Sequence, residues 1–344
     1  MRYPSFLKEG GSIGFIAPSF GCSQEPYYSA FENALKTFND AGFKTVLGIN
    51  CYKSDGVGIS TYPEICAMEF NQAYSDPESD VLISCGGGEL MCEILPHIDF
   101  DAVRNADPKW FMGYSDNTNL TFLLNTLCDT ASIYGPCAPA FGMKPWHKSI
   151  EDAYLLLKGG KLVMSGYDYW ERTSLKDEEH PYAPYNISEP TRYFFYLGNV
   201  MQKRMSARGR LLGGCLDCLG NLVGTRFDKV KEFTQKYSQD GILWFLESCD
   251  LNTMDIRRTL WHMREAGWFE NATGFLIGRP LQFYDMTCDL DHYSAVTGVL
   301  GDLGLPIMMD LDLGHLPPMI PLISGSVAKV EADQEHFQIE MVLE

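Results

Sequence analysis

Short apolar runs alternate with helix-like stretches through the first half of this 344-residue sequence, and that alternation restricts the fold more than any other feature. Residues 12–19 are predicted to be a strand and the loop after it, 43–48 and 81–84 to be strands, and 26–40 and 62–74 to be helices. Strands separated by helices of this length form βαβ units with parallel strands. The pattern predicts an α/β fold whose N-terminal domain has a Rossmann-like parallel sheet.

The pattern changes after about residue 160. Residues 161–205 are rich in Pro, Tyr and mixed charge, which is typical of a linker or a long surface loop. Periodic structure then returns, and the tail alternates like antiparallel strands. The chain is about twice as long as a typical domain of roughly 150 residues. We therefore expect an N-terminal α/β domain over 1–160, a linker with an aromatic loop over 161–205, and a smaller C-terminal α/β domain with antiparallel strands over 206–344.

Charge and cysteine content exclude several classes of function. The sequence has 27 Lys and Arg against 45 Asp and Glu, a formal net charge of −18, which repels phosphate backbones and anionic membranes. Its 11 cysteines are scattered, and the apolar run near the start is too short for an export signal or a membrane span. We expect a cytoplasmic protein with reduced thiols and with neither a nucleic-acid nor a membrane partner.

The segment from Gly113 to Asn117 is the most informative for chemistry. An apolar strand stops at Gly113-Tyr114-Ser115, and Asp116 or Asn117 is suited to cap a following helix. A serine at such a turn exposes its hydroxyl near helix N-terminal amides, which stabilise negative charge. Asn117 replaces the second glycine of the Gly-x-Ser-x-Gly elbow, so this is not the hydrolase motif proper. Ser115 is a candidate nucleophile, and the alternative is an ordinary turn residue.

A glycine run, Gly86-Gly87-Gly88, follows the predicted strand 81–84. Open α/β sheets bind ligands at the carboxyl ends of their strands. Glycines there let backbone N–H groups face a phosphate or a developing oxyanion. The run matches neither the dinucleotide-binding pattern nor the Walker pattern. It predicts either an oxyanion-binding loop or a plain tight turn.

A serine nucleophile needs a base, and the base needs an acid that orients it. Among seven histidines, His315 lies in a loop bounded by glycine and prolines directly after an apolar strand, where catalytic residues often occur. Glu247 ends the apolar strand 242–246, and a buried glutamate there is costly unless it is paired. A carboxylate that caps a helix or faces solvent is the alternative for Glu247.

The one close Cys-x-x-Cys pair is formed by Cys215 and Cys218. A structural zinc site of the usual kind needs a second such pair or nearby histidines. Neither accompanies this pair, so we expect buried, inert thiols.

Taken together, these segments resemble the LD-carboxypeptidase family of serine peptidases, which includes muramoyl-tetrapeptide carboxypeptidases and microcin-immunity peptidases. The matching segments occur in the family's order: Ile16-Ala17-Pro18-Ser19, Gly86-Gly87, Gly113-Tyr114-Ser115-Asp116, Leu212-Gly213-Gly214-Cys215-Leu216, Leu246-Glu247 and Gly314-His315.

The resemblance implies a serine carboxypeptidase or amidase that hydrolyses a terminal amide through an acyl-enzyme, without a metal or organic cofactor. It implies Ser115 as nucleophile, His315 as general base and Glu247 as its orienting partner. The family's oxyanion hole would be formed by the backbone N–H groups of Asp116 and of a glycine in the Gly86-Gly87 loop.

Two departures from the family pattern bear on the substrate. Cys85, Gly88 and Glu89 replace the Arg, Tyr and last Gly of the Arg-Gly-Gly-Tyr-Gly loop of peptidoglycan-recycling members. The Gly-Gly-Cys-Leu segment and the aromatic loop resemble the microcin-immunity branch instead. In that branch a loop aromatic stacks on a nucleobase, which implies Trp170 here, with Tyr167, Tyr169 and Tyr185 as alternatives. An aminoacyl-nucleotide conjugate is thus the alternative to a murein peptide.

Two hypotheses from other classes compete with a hydrolase. One is a non-catalytic protein of two α/β lobes that closes on a small ligand, and the other is a nucleotide-dependent Rossmann enzyme. For the hydrolase we also expect a homodimer, since two-fold assemblies are common among soluble enzymes.

Overall fold

The structure of the protein is a computed structural model that describes all 344 residues. The chain divides into two units, which are described separately. Unit 1 comprises Met1–Lys161 and Thr173–Asn186, and unit 2 comprises Leu162–Arg172 and Ile187–Glu344. None of the helices has the length and apolar character needed to cross a bilayer.

Unit 1 contains five parallel strands that are neighbours in the order β5-β4-β3-β1-β2. The strands are β1 (Ser12–Ile16), β2 (Lys44–Leu47), β3 (Val81–Ser84), β4 (Trp110–Gly113) and β5 (Ser132–Tyr134). The helices of unit 1 are α1 (Tyr27–Asp40), α2 (Pro63–Ser75), α3 (Phe100–Asn105), α4 (Thr118–Cys128) and α5 (Lys148–Leu157). Short 3-10 turns lie at Met91–His97, Ser115–Asn117 and Ala138–Gly142.

The core of unit 1 lies against both faces of this sheet. Every residue of β3 and β4 is buried, as expected for parallel strands covered by helices on both sides. Phe70, Leu82, Phe111 and Leu120 belong to one buried apolar cluster. Because β1, β3 and β4 run parallel, the loops that follow them emerge at the same edge of the sheet.

Unit 2 contains a mixed sheet of nine strands in the order β10-β9-β14-β13-β12-β11-β16-β17-β6. The central strands β11 to β14 are parallel, and the flanking pairs are antiparallel. The strands of unit 2 are β6 (Val163–Ser165), β7 (Tyr169–Glu171), β8 (Ile187–Pro190), β9 (Phe194–Leu197), β10 (Val200–Gln202), β11 (Arg204–Cys215), β12 (Ile242–Glu247), β13 (Ala272–Gly278), β14 (Pro306–Leu311), β15 (Leu322–Ser324), β16 (Val327–Asp333) and β17 (Phe337–Val342). Its helices are α6 (Leu216–Leu222), α7 (Val230–Lys236), α8 (Thr253–Glu265) and α9 (His292–Leu300), with a 3-10 turn at Gly301–Leu303. The predicted α/β class, with antiparallel strands in the second half, is confirmed.

The local structure of residues 161–205 differs from the prediction. This segment was expected to be an irregular linker, but it contains β6 to β10 and the start of β11. Each strand from β6 to β10 is three or four residues long, too short for an alternating pattern to stand out among prolines and tyrosines. Two of them also pair with distant strands, since β9 pairs with β14 and β6 with β17.

Candidate active site

Ser115 lies on a sharp turn between β4 and α4. Its φ is 63°, in the left-handed region that costs a non-glycine residue about 1–2 kcal/mol. Its backbone N–H donates to the Tyr134 hydroxyl at 3.4 Å, and its side chain is half-buried. Strained residues of this kind are concentrated at functional sites. The predicted strand-to-helix turn is confirmed, while the catalytic role of Ser115 stays a prediction.

The glycine loop after β3 passes directly beside Ser115. The Gly86 carbonyl accepts a hydrogen bond from the Asn117 side-chain amide at 2.7 Å, and the Gly87 carbonyl accepts one from the Phe20 N–H at 2.8 Å. A Cβ added at Gly87 would lie 3.0 Å from both Cβ and Oγ of Ser115. Only a residue without a side chain therefore lets the loop backbone approach the hydroxyl this closely.

Asp116 is buried next to Ser115, and tertiary contacts hold its carboxylate. That carboxylate accepts hydrogen bonds from Ser19 Oγ at 2.6 Å, the Met91 N–H at 2.9 Å and Asn119 Nδ2 at 3.1 Å. Burial raises the pKa of Asp116 to about 6, although these bonds oppose the shift. The contacts hold Asp116, whose backbone N–H is the predicted oxyanion donor, in a single arrangement.

The prediction that Asp116 or Asn117 caps α4 is wrong. No side chain caps the first turn of α4. Asp116 binds Ser19 and Met91, which are distant in sequence, and Asn117 Nδ2 donates to the distant Gly86 carbonyl and to the nearby Tyr114 carbonyl. These tertiary partners compete with the local backbone amides for the same side-chain atoms.

Glu247 and His315 form a buried pair in unit 2. Glu247 is the last residue of β12, and His315 lies in the loop after β14. His315 Nδ1 is 2.8 Å from Glu247 Oε2, and the two side chains are 12% and 1% exposed, respectively. Both residues were predicted from the sequence, and the structure brings them into contact across 68 positions of the chain.

A glycine makes this contact possible. Gly314 has a φ of 95°, and a Cβ there would lie 2.5 Å from Glu247 Oε2. An L-residue would be strained by the backbone and would also collide with the carboxylate. The Gly314-His315 sequence is therefore a geometric requirement of the pair.

The Glu247 carboxylate controls the charge of His315. Burial by itself would lower the pKa of His315, but the negative charge of Glu247 and hydrogen bonds to Cys249 and Glu247 raise it well above its ordinary value. The pair thus stabilises the imidazolium that forms when His315 accepts a proton. Stabilising the imidazolium that forms during a reaction is the function of the acid in serine hydrolases.

A buried ion pair that sequence analysis missed anchors the His315 loop. The Asp312 carboxylate pairs with the Arg279 guanidinium and accepts bonds from the Tyr193 hydroxyl at 3.2 Å and the Tyr167 N–H at 2.8 Å. Arg279 and Asp312 each directly follow a buried strand, β13 and β14. A charged residue at the end of an apolar strand was the feature that singled out Glu247. The same feature could have identified Arg279 and Asp312.

Cys215 lies beside the Glu247–His315 pair. It is the last residue of β11 and pairs in register with Glu247, the last residue of β12. One ligand atom from each of Cys215, Glu247 and His315 lies within 4.8 Å of the other two. Cys215 and Cys218 are both buried, as the sequence predicted. The proximity of Cys215 to the pair was not predicted, because it depends on strand register.

Trp170 lies among protein contacts, and its stacking role stays a prediction. This residue of β7 is 5% exposed, and its ring packs against Phe283 at a centroid separation of 5.2 Å. The Arg279 guanidinium lies 5.3 Å from the ring centroid. These contacts leave little of the ring exposed, although Trp170 also lines a surface cleft with Phe283 and Leu316. Tyr169 in the same strand is 50% exposed.

The other two aromatic alternatives are less accessible than Tyr169. Tyr167 is 6% exposed, and its N–H is bonded to Asp312. Tyr185 is half-buried in unit 1 and packs against the His147 ring at 5.5 Å. Tyr169 is therefore the most exposed of the predicted aromatic residues.

Two family profiles match the chain. The LD-carboxypeptidase N-terminal domain matches residues 13–135, and the LD-carboxypeptidase C-terminal domain matches residues 208–330. Together the two ranges cover well over half of the sequence. The first range includes Ser115 and the glycine loop, and the second includes Glu247 and His315.

Full-length relatives agree with the profiles. A Vibrio cholerae protein named as a candidate carboxypeptidase is 26% identical over 99% of this chain and 98% of its own length. The microcin C7 self-immunity protein MccF of Escherichia coli is 24% identical over 97% of this chain and 94% of its own length.

Solved structures share the fold. An MccF-like protein from Bacillus anthracis superimposes with a TM-score of 0.82 at 21% identity over 100% of both chains. MccF in complex with aspartyl sulfamoyl adenosine gives a TM-score of 0.80 at 22% identity over 99% of this chain and 98% of MccF. At this identity the similarity establishes the common α/β architecture.

Proposed function

This chain belongs to the LD-carboxypeptidase family of serine peptidases, and we propose that it hydrolyses a terminal amide with Ser115 as nucleophile, His315 as general base and Glu247 as orienting acid. The observation that carries the proposal is the 2.8 Å contact between His315 Nδ1 and the buried Glu247 carboxylate. A carboxylate at Nδ1 keeps a proton on that nitrogen, so Nε2 is the atom that accepts the nucleophile's proton.

The proposed reaction proceeds through an acyl-enzyme. His315 Nε2 takes the proton of the Ser115 hydroxyl as Oγ bonds to the amide carbonyl carbon, which places negative charge on the carbonyl oxygen. The carbon–nitrogen bond then breaks, and His315 returns the proton to the leaving amine. Water repeats the sequence on the ester and releases the acid. The proposal requires the hydroxyl to come within hydrogen-bond reach of Nε2 in the substrate complex.

The backbone N–H groups of Asp116 and of Gly86 or Gly87 are the proposed oxyanion donors. The support is local: the Gly87 backbone lies close enough to Ser115 that a Cβ would be 3.0 Å from Oγ, and buried hydrogen bonds hold Asp116 in place. Preorganised donors of this kind typically contribute about 3–4 kcal/mol each to transition-state stabilisation.

For the substrate, we propose a small peptide or peptide conjugate with a free terminal group. The carboxypeptidase names of relatives such as the Vibrio cholerae protein support a peptide. A second candidate is an aminoacyl-nucleotide conjugate, since MccF has been solved with aspartyl sulfamoyl adenosine and with glutamyl sulfamoyl guanosine. The departures at Cys85, Gly88 and Glu89 from the murein-type loop favour this second candidate.

The test combines active-site labelling with two substrates. A fluorophosphonate probe should form an adduct on Ser115, found by peptide mass spectrometry, and Ser115→Ala should abolish it. Liquid chromatography should show wild-type enzyme cleaving either an L,D-linked muropeptide tetrapeptide or aspartyl sulfamoyl adenosine. Ser188→Ala, at an exposed position in β8, is the matched control.

Each outcome of this test has a distinct meaning. Labelling of Ser115 without cleavage of either compound rejects both substrates and keeps the hydrolase. Absence of the adduct, or full activity of Ser115→Ala, rejects Ser115 as nucleophile and favours the binding-protein hypothesis.

We further propose that the protein acts in the cytoplasm and assembles as a homodimer. Light scattering coupled to size-exclusion chromatography checks the assembly, and a mass near the 38.7 kDa of one chain would contradict it.

A further inference from the structure

Three side chains of different chemistry meet at the ends of strands in unit 2. Cys215 and Glu247 end the neighbouring parallel strands β11 and β12 and are paired in register. His315 contacts Glu247 at 2.8 Å from the loop after β14. One ligand atom from each residue lies within 4.8 Å of the other two. The register of the sheet thus brings a thiol next to the proposed acid and base.

This set of atoms matches the ligand preference of Zn²⁺. Thiolate sulfur, imidazole nitrogen and carboxylate oxygen bind zinc at about 2.0–2.3 Å, so tetrahedral ligand atoms are about 3.3–3.8 Å apart. The observed group is within about 1 Å of that spacing, which side-chain rotation can supply. Three protein ligands with an open fourth position also correspond to a zinc site that retains a water molecule.

The thiol has a partner that holds it near this group. Cys215 Sγ donates to Asp217 Oδ2 at 3.2 Å, and the same carboxylate oxygen accepts the Cys249 N–H at 3.0 Å. Asp217 therefore links the start of α6 to the loop after β12. Burial raises the pKa of Cys215 well above its ordinary value, so zinc must displace the thiol proton.

We propose that Cys215, Glu247 and His315 form a Zn²⁺ site and that zinc bound there reversibly inhibits the enzyme. On binding, the Cys215 sulfur–hydrogen bond breaks and a sulfur–zinc bond forms, and the His315 nitrogen that binds zinc gives up any proton it carries. These protons leave to solvent, with no change of oxidation state. Zinc then occupies the two side chains that the proposed reaction uses for proton transfer. The binding site stands on the geometry alone, while the inhibition rests on the proposed function.

Binding is tested without substrate. Titration of the purified full chain with Co²⁺, a spectroscopic substitute for Zn²⁺, should produce a thiolate-to-cobalt charge-transfer band that one equivalent of Zn²⁺ removes. Cys215→Ser should lose the band and bind Zn²⁺ more than about 100-fold more weakly, since outer-shell changes alone cost ~10–100-fold. Cys215→Asn, which removes the thiol but keeps a polar side chain, should behave likewise and guards against a misfolded serine variant.

Two other cysteines are matched controls. Cys288 is exposed, and Cys249 hydrogen-bonds to His315 but lies outside the three-residue group. Cys288→Ser and Cys249→Ser should both retain the band. A band that survives in both Cys215 variants, or that disappears in Cys249→Ser, would overturn the site.

Inhibition is tested by the rate of fluorophosphonate labelling, which needs no known substrate. Zinc should slow labelling of wild-type Ser115 at least tenfold, and a chelator should restore it. Both Cys215 variants should label at similar rates with and without zinc. Cys215-dependent binding without slowed labelling would reject the inhibition, and absence of labelling in metal-free wild type would reject the proposed function instead.

Discussion

In unit 1 the candidate nucleophile is presented by backbone geometry, whereas in unit 2 the candidate base is held by side chains. Ser115 has a left-handed φ of 63° and lies against the backbone of Gly87. His315 is oriented by a carboxylate that is 1% exposed. The first arrangement depends on a glycine at position 87, and the second depends on the negative charge of Glu247, which lies on a strand distant in sequence from His315.

This difference determines how each region should respond to substitution. Backbone geometry is disturbed by adding a methyl group, while a charged pair is disturbed by removing a charge with the shape unchanged. Four variants separate these two kinds of sensitivity.

Glu247→Gln should have the largest effect. It preserves shape but removes the charge that stabilises the imidazolium, so kcat should fall roughly 10⁴-fold, as for a mispaired triad acid. Because Glu247 raises the pKa of His315, the residual activity should reach its plateau at lower pH than the wild type. The measurement is kcat/KM against pH, with Glu331→Gln on the exposed face of β16 as control. An unchanged profile would remove Glu247 from the proposed mechanism.

Gly314→Ala tests whether the side-chain pair also depends on one backbone position. The added Cβ would lie 2.5 Å from Glu247 Oε2, so kcat should fall at least about 100-fold through displacement of His315. Gly304→Ala is the control, since its φ of 66° carries similar strain but nothing lies within 4 Å of the new Cβ. Equal losses in both variants would mean that strain, and not the contact, is responsible.

Asp116→Asn tests a buried carboxyl group in unit 1, where backbone geometry otherwise positions the candidate nucleophile. The folded pKa of Asp116 is about 6 and its ordinary value is 3.8, so the folded state binds the proton more tightly. The resulting stabilisation is fully present below pH 3.8 and is lost as pH rises through 6. Between pH 4 and 7 the wild type should lose about 2–3 kcal/mol relative to the variant.

Urea unfolding at the two pH values measures this difference. Asp107→Asn, at an exposed position, controls for loss of one charge. A stability difference between wild type and Asp116→Asn that does not change with pH would show that the Asp116 carboxyl does not titrate in this range.

Gly87→Ala should have the smallest effect. Its Cβ would press on Ser115 Oγ from 3.0 Å, which a small shift relieves, so kcat should fall about tenfold with little change in stability. Gly160→Ala, where the nearest atom is 3.6 Å away, should keep full activity. Full activity of both variants would show that the Ser115 turn accommodates an added methyl group at position 87 despite the close contact.

Much of the fold and part of the site were predictable because their signals are local. The strand VLIS, the strand-to-helix turn at Ser115 and the strand end at Glu247 each occupy a few consecutive residues with a distinctive pattern. The capping prediction failed because distant partners were not visible in the sequence: Asp116 binds Ser19 and Met91 instead of capping α4. The contact of Trp170 with Phe283 depends on a distant partner in the same way.

The amino-acid order alone determined the α/β class, the turn at Ser115 and the choice of His315 and Glu247, since periodicity and strand ends are encoded over short stretches. Only the tertiary structure decided that His315 contacts Glu247, that Asp312 anchors the loop and that Cys215 lies beside the pair. The physical reason is strand register: a shift of one residue turns each side chain to the opposite face, and the whole sheet sets that register.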